Sequence, residues 1–264
     1  MTTTDVISPD LKAILRRLKL SPVLHTLPER LTLARQQKMP HQDFFLLVLA
    51  DEAARRDSCS TALRAARAHL DPAMQLELWD PSANVTYDQA LLNELASLRF
   101  LQDHAHLTIV GPVGVGKTFL AHALGHVACR RGHSVLALRA DKMLKTLKHA
   151  RLDNSYEVEL RKLLACDLLI VDDFALDAMD AIESRDLYEI ITERHRSGSM
   201  IFTSNRGPDE WLATFSDALL AQSAIDRFTG NAYDLLIEGE SYRQRLKPGR
   251  RSSSQPSTGQ DQAR

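Results

Sequence analysis

Cysteine is scarce and scattered in this chain: Cys59, Cys129 and Cys166 are the only three in 264 residues. An odd number at such wide spacing excludes a disulfide framework or a zinc knuckle and fits reduced thiols. Charge of one sign is missing too, because 33 lysines and arginines nearly balance 34 acids for a formal net charge of −1. No global field draws such a protein to nucleic acid, so any DNA contact must come from a local patch. The chain lacks an N-terminal apolar core and any long apolar span, and it is read as cytoplasmic with no membrane partner. Internal repeats are absent as well. What is there is a 44% hydrophobic chain with enough apolar content for a real core, sized for one large domain or a small one beside a medium one.

Residues 1–70 read as a small all-α N-terminal domain. Ser8-Pro9 opens a helix in which Leu11, Ile14, Leu15 and Leu18 recur on one face. The apolar run Phe44–Leu49 is read as that domain's core, within short helices packed as a bundle. Residues 71–85 hold Pro72, Trp79, Pro81 and Asn84 without a period and are expected to be the domain link. Thr86 with Gln89 reads as a capping box that starts the next helix. Residues 86–247 then alternate short apolar runs with helical stretches, the pattern of an α/β domain with a parallel sheet flanked by helices. Strands are expected at 107–110, 135–138, 168–171, 200–203 and 233–237, and helices at 117–131 and 184–196. The polar tail, 248–264, is expected to be disordered.

Three clusters carry chemistry. Gly111-Pro112-Val113-Gly114-Val115-Gly116-Lys117-Thr118 follows an apolar strand, and Phe119 leads into a helix. This is a phosphate-binding loop: the glycines let backbone amides turn inward around a polyphosphate, and the following helix adds its dipole. Lys117 would reach the β- and γ-phosphates, and the Thr118 hydroxyl would ligate Mg²⁺. In the second cluster Leu168-Leu-Ile-Val ends in Asp172 and Asp173, at the strand edge where nucleotides bind in parallel sheets. Asp172 is suited to orient Mg²⁺ through water, and Asp173 to polarise an attacking water. The third is Met200–Arg206, where the Asn205 amide either holds the lytic water or a phosphate oxygen, or forms an Asx turn before Gly207-Pro208.

Together these segments resemble AAA+ ATPases of the helicase-loader type, and within them the IstB-like transposition helpers. The resemblance extends from Leu11 to about Lys247 and includes LRRLKL, GPVGVGKTFLAHALGHVACRRGHSV, LLIVDDF, LYEIITERHR, FTSNRGPDEW, AIDRF and GESYR in order. It implies an AAA+ P-loop NTPase using ATP and Mg²⁺, homo-oligomeric with ATP on DNA, which it binds largely without sequence preference. Its implied partner is a DDE transposase of the same insertion sequence. In this likeness Lys117 and Thr118 match the nucleotide loop, Asp172 and Asp173 the acidic pair, and Asn205 the sensor position. Arg227 matches an arginine finger, with an intramolecular ion pair as its alternative; Arg243 matches a motif that either senses nucleotide or pairs within the fold. Many AAA+ proteins carry glutamate where this chain has Asp173, and the shorter side chain implies slow hydrolysis.

Other features have plainer readings. His122 and His126 lie four apart on the helix after the loop, but Ala123 stands where a zinc hydrolase needs glutamate. His104 and His106 are read as surface residues of a loop. Arg55, Arg56, Arg64 and Arg67 form either a solvated helix face or a DNA-facing patch, partly neutralised by Asp51, Glu52 and Asp57. The rival functions are a replicative helicase loader, a small-molecule P-loop kinase, for which no phosphate-binding lid is visible, and a scaffold that binds ATP without hydrolysing it.

Overall fold

The computed structural model describes residues 7–80 and 85–242. It divides into two compact units, Met1–Arg64 and Ala65–Arg264. The first contains α1 (Pro9–Arg17), α2 (Val23–Gln36) and most of α3 (His41–Arg67). Ser8 caps α1 by accepting from the Leu11 amide at 3.2 Å, with Pro9 in the first turn, as the sequence signals. Val23, Leu27 and Val48 form the small core, with Leu15, Leu20, Leu31 and Phe44 packed against it. Two expectations are corrected. The run 44–49 is not core throughout, since Phe45 and Leu46 are 63% and 67% exposed. Residues 41–67 form one helix rather than several, because no glycine or proline interrupts them.

Within α3, Glu52 is buried and takes Arg55 and Arg56 at 2.8 Å each. The Arg55 hydrogen bond, aided by Arg56, holds its carboxyl down at about 2. Two of the four arginines in the candidate basic patch therefore share one acid. Arg64 hydrogen-bonds Ser60 and Thr61 along its own helix.

The second unit begins with the last turn of α3. The units divide between Arg64 and Ala65, whereas the link was expected at 71–85; residues 71–80, with a single 3₁₀ turn at Leu76–Leu78, lie on the second unit. Then come β1 (Val85–Thr86), α4 (Gln89–Ala96), α5 (Arg99–Gln102), β2 (His106–Val110), α6 (Lys117–Arg130) and β3 (Val135–Arg139). They are followed by α7 (Ala140–Ala150), α8 (Tyr156–Ala165), β4 (Leu168–Asp172), α9 (Ala181–Arg194), β5 (Ser199–Ser204), α10 (Pro208–Trp211), α11 (Ala218–Thr229), β6 (Ala232–Leu236) and β7 (Glu238–Gly239). The five expected strands are all present, each within one residue of its anticipated bounds. The cap of α4 differs: the Asp88 carboxylate accepts from the Leu91 amide at 2.9 Å, so Thr86 lies outside the helix, in β1.

β2 to β6 form a parallel sheet in the order β3-β4-β5-β2-β6. Its central strands β4 and β5 are buried along their whole length, which is why they read as unbroken apolar runs rather than alternating ones. One face packs on α4, α5 and α6 through Leu95, Phe100, Leu120 and Leu124. The other packs on α7 to α11 through Met143, Leu163, Ile190, Trp211 and Phe228. His106 is corrected as well: it lies in β2 with no exposed surface, stacked on Phe228 at 5.0 Å, while its Nδ1 accepts from the Met200 amide at 3.3 Å. β1 and β7 pair as a small antiparallel ribbon beside the sheet. Among the described residues, no helix is long and apolar enough to cross a membrane.

Candidate functional site

β2 ends at Val110, and residues 111–116 turn back over the C-terminal edge of the sheet into α6. Gly114 and Gly116 hold φ of +87° and +103°, the left-handed region that side chains resist. Gly111 is required for a different reason: a Cβ there would sit 2.1 Å from the Ile237 carbonyl oxygen. The loop is thus a cradle that a Cβ at any of its three glycines would distort, with α6 beginning directly behind it.

Lys117 is buried at the base of this cradle. Its Nζ donates to the Gly111 and Pro112 carbonyls at 2.8 Å each and to Asn205 Oδ1 at 2.6 Å. The lysine of the first cluster and the amide of the third are thereby joined across the sheet edge. Thr118 Oγ1 donates to Asp172 Oδ1 at 2.8 Å, and Thr203 donates to the same oxygen. Asp172, only 8% exposed, thus brings a buried carboxylate beside a hydroxyl, the hard oxygen donors that Mg²⁺ accepts.

Asp173 turns away from its neighbour. Its φ is +55°, and its amide donates to Thr203 Oγ1 at 3.0 Å while Phe174 N donates to the Thr203 carbonyl at 2.8 Å. These bonds pin the strand-to-loop turn to β5 and leave the carboxylate 37% exposed, 4.0 Å from Arg139 Nε. A carboxylate held at the rim with water access is suited to orient and deprotonate a water molecule.

A cavity of about 460 Å³ opens over the loop, a volume suited to a nucleotide. Its lining combines polar Lys117, Thr118, Asp173 and Asn205 with apolar Met74, Leu78, Trp79, Phe119 and Tyr242. The Trp79 ring lies 5.4 Å from that of Phe119, and its indole Nε1 donates to the Tyr87 hydroxyl at 2.9 Å. Its ring atoms come within 2.7 Å of where a Cβ on Gly116 would be. The Tyr242 amide donates to the Gly114 carbonyl at 2.9 Å.

The structure therefore brings Lys117, Thr118, Asp172, Asp173 and Asn205 to one sheet edge. Arg227 is elsewhere, half-buried on α11 and outside the cavity lining. Arg243 lies outside the described residues, as does the tail from 248. His122 Nδ1 accepts from the Asp71 amide at 3.0 Å and His126 Nε2 meets the Asp71 carbonyl at 2.8 Å, so the pair fastens the 71–80 segment to α6. Burial foremost lowers the His122 pKa, in keeping with a neutral ring that accepts a hydrogen bond. Sequence reasoning missed Met74, Leu78, Trp79, Thr203 and Tyr242. The signal for Trp79 was a tryptophan in a segment that otherwise lacked apolar order.

A family model described as "IstB-like ATP binding protein" matches residues 13–250. An ATP-binding protein of an insertion sequence in Mycobacterium tuberculosis is 38% identical over 250 residues, covering 94% of this chain and 100% of that protein. The insertion sequence IS21 ATP-binding protein of Pseudomonas aeruginosa is 32% identical, covering 90% of each chain. Among solved structures, DnaI is similar in fold with a TM-score of 0.54 at 22% identity, covering 62% of this chain and 90% of that one. AMPPCP-bound DnaA from Aquifex aeolicus gives a TM-score of 0.53 at 25% identity, covering 65% and 51%.

Proposed function

The chain belongs to the IstB-like ATP-binding protein family, and from that premise we propose that it is an ATP-dependent DNA-binding helper of insertion-sequence transposition. It assembles on target DNA with ATP, recruits or activates the DDE transposase of the same element, and is released by slow ATP hydrolysis. The observation that carries the reading is the joined trio of Lys117, Asn205 and the loop carbonyls beside the Thr118–Asp172 pair, at the mouth of a nucleotide-sized cavity.

Lys117 and the loop amides would bind the phosphates of ATP, and Thr118 and Asp172 would hold Mg²⁺, which would neutralise charge on the γ-phosphoryl group. Asp173 orients a water at the rim and takes its proton, while Asn205 fixes the distance between Lys117 and the reacting phosphate. Arg227 acts across a subunit boundary on the neighbour's nucleotide. The N-terminal helical unit selects the partner protein, and the occurrence of the relatives in insertion sequences favours a transposase over a replicative helicase.

The local patch that DNA binding demands is best supported on α7. That helix buries Met143, Leu144, Leu147 and Ala150 and turns Lys142, Lys145, Lys148 and His149 outward, between Arg139 and Arg151. Arg139 and Lys145 both rest on Asp141, Lys148 on Asp180 and Arg151 on Asp186. The row still presents five Lys and Arg side chains to a backbone whose charge is regular, so it suits DNA of any sequence.

The test is ATP turnover and sedimentation of the wild type and Lys117→Ala, each with and without duplex DNA. DNA-stimulated turnover and ATP-dependent assembly are expected in the wild type and lost in the variant, the turnover by at least roughly 100-fold. Turnover indifferent to DNA, without assembly, would exclude this reading and leave phosphoryl transfer to a small acceptor.

A further inference from the structure

Arg227 lies on α11 with its charge balanced by no acid among the described residues. Its Nη1 donates to the Ser223 carbonyl at 3.0 Å and to the Ser223 hydroxyl, one turn back on the same helix. Its guanidinium carbon sits 5.6 Å from the ring centroid of Tyr188, on α9. A cation half-buried against an aromatic face and a hydroxyl is oriented without being neutralised. An aspartate or glutamate at either cradle position would cancel the charge. The surroundings point outward as well: Leu219, two turns before Arg227 on the same face, is 79% exposed. The Tyr188 phenol is drawn below its ordinary pKa, first by the Ser223 hydroxyl beside it and further by Thr192 and the Arg227 charge.

We infer that Tyr188 and Ser223 are positioning residues that hold Arg227, un-neutralised, for the nucleotide phosphates of a second copy of this chain. The inference rests on the reading of Arg227 as acting across the subunit boundary, and it deepens that reading by naming what aims the side chain. The cradle is made of groups that orient but do not neutralise. Removing either one loosens the guanidinium without touching the nucleotide site of its own subunit, because Arg227, Tyr188 and Ser223 all lie outside that cavity's lining.

Mixed assemblies test this directly. Subunits carrying Arg227→Ala keep a complete nucleotide site but present no finger; subunits carrying Asp173→Asn present the finger but do not hydrolyse. Mixing the two on DNA with ATP is expected to restore turnover, all of it from Arg227→Ala sites served by Asp173→Asn neighbours. Donors with Asp173→Asn plus Tyr188→Ala should restore roughly three- to tenfold less. Donors with Tyr188→Phe, which keeps the ring, should match the parent donor. Ser223→Asp donors, with a carboxylate set beside the guanidinium, should restore almost nothing. Each donor's ATP affinity and cooperative melting are measured alongside, and should Tyr188→Ala fail to fold, the half-buried Ser223 position decides. Full rescue by Tyr188→Ala and Ser223→Asp donors would overturn the positioning role with the trans reading intact. No rescue by the Asp173→Asn donor itself would overturn both.

Discussion

His106 has its full side chain buried in β2, with Phe228 stacked on one face at 5.0 Å and an interplanar angle of 6°. Burial, aided by the His195 and Arg194 charges, pushes its pKa down to about 4 from an ordinary 6.5. The ring is therefore neutral when folded, and the unfolded chain takes up the proton first. Its contribution to stability is full above pH 6.5 and is lost as the pH falls toward 4, by up to about 3 kcal/mol. The urea midpoint of the wild type should drop across that window, and His106→Gln should flatten the drop; an equal drop in both would assign the acid sensitivity elsewhere. Nothing in the sequence separated His106 from exposed His104. A histidine at a strand's first residue is buried or exposed according to the elements that later cover it, here α11 and the end of α9. Lys117, Thr118 and Asp172 were legible because a local spacing fixes their chemistry, whereas the Lys117–Asn205 bond joins residues 88 positions apart and depends on β2 and β5 being neighbours.

At the scale of elements, α7 is the clearest test of the DNA reading. Replacing both Lys142 and Lys145 by Glu should weaken duplex binding alike across sequences and flatten the slope of log affinity against log salt by roughly 2. Unchanged affinity and slope would remove α7 from the DNA surface. The sheet was readable in advance because strands covered on both faces carry unbroken apolar runs, as β4 does at 168–171 and β5 at 200–202, before the polar residues at their C-terminal ends. Helix starts were harder. α9 begins at Ala181 rather than 184 because Asp180 and Glu183 form a reciprocal capping box, Asp180 accepting from the Glu183 amide at 2.9 Å and donating its own amide to the Glu183 carboxylate at 3.0 Å. The exposed Phe45 and Leu46 show the limit of hydrophobicity as a guide: a run of six apolar residues on a helix points in every direction, and only Val48 among them is buried.

At the scale of the whole molecule, the stretch expected to be a mere connection forms a wall of the nucleotide cavity. Asp71 is fastened by His122 and His126, Glu77 pairs with Arg130 at 2.8 Å, and Trp79 reaches Gly116 of the loop. The chain has two tryptophans, and the other, Trp211, is 1% exposed in the core on the opposite face of the sheet. ATP should therefore change the intrinsic fluorescence of the wild type, and Trp79→Phe should abolish the change; a change that survives in the variant would assign it to Trp211 instead. The same lining includes Tyr242, from near the end of the described residues. The β1–β7 ribbon stitches the entering and departing segments together through Val85–Gly239 and Thr86–Glu238. For protein engineering the cost is concrete: a fragment trimmed to the sheet, from His106 to Leu236, would keep all five parallel strands and the whole glycine loop, yet it would be an open bench rather than a pocket.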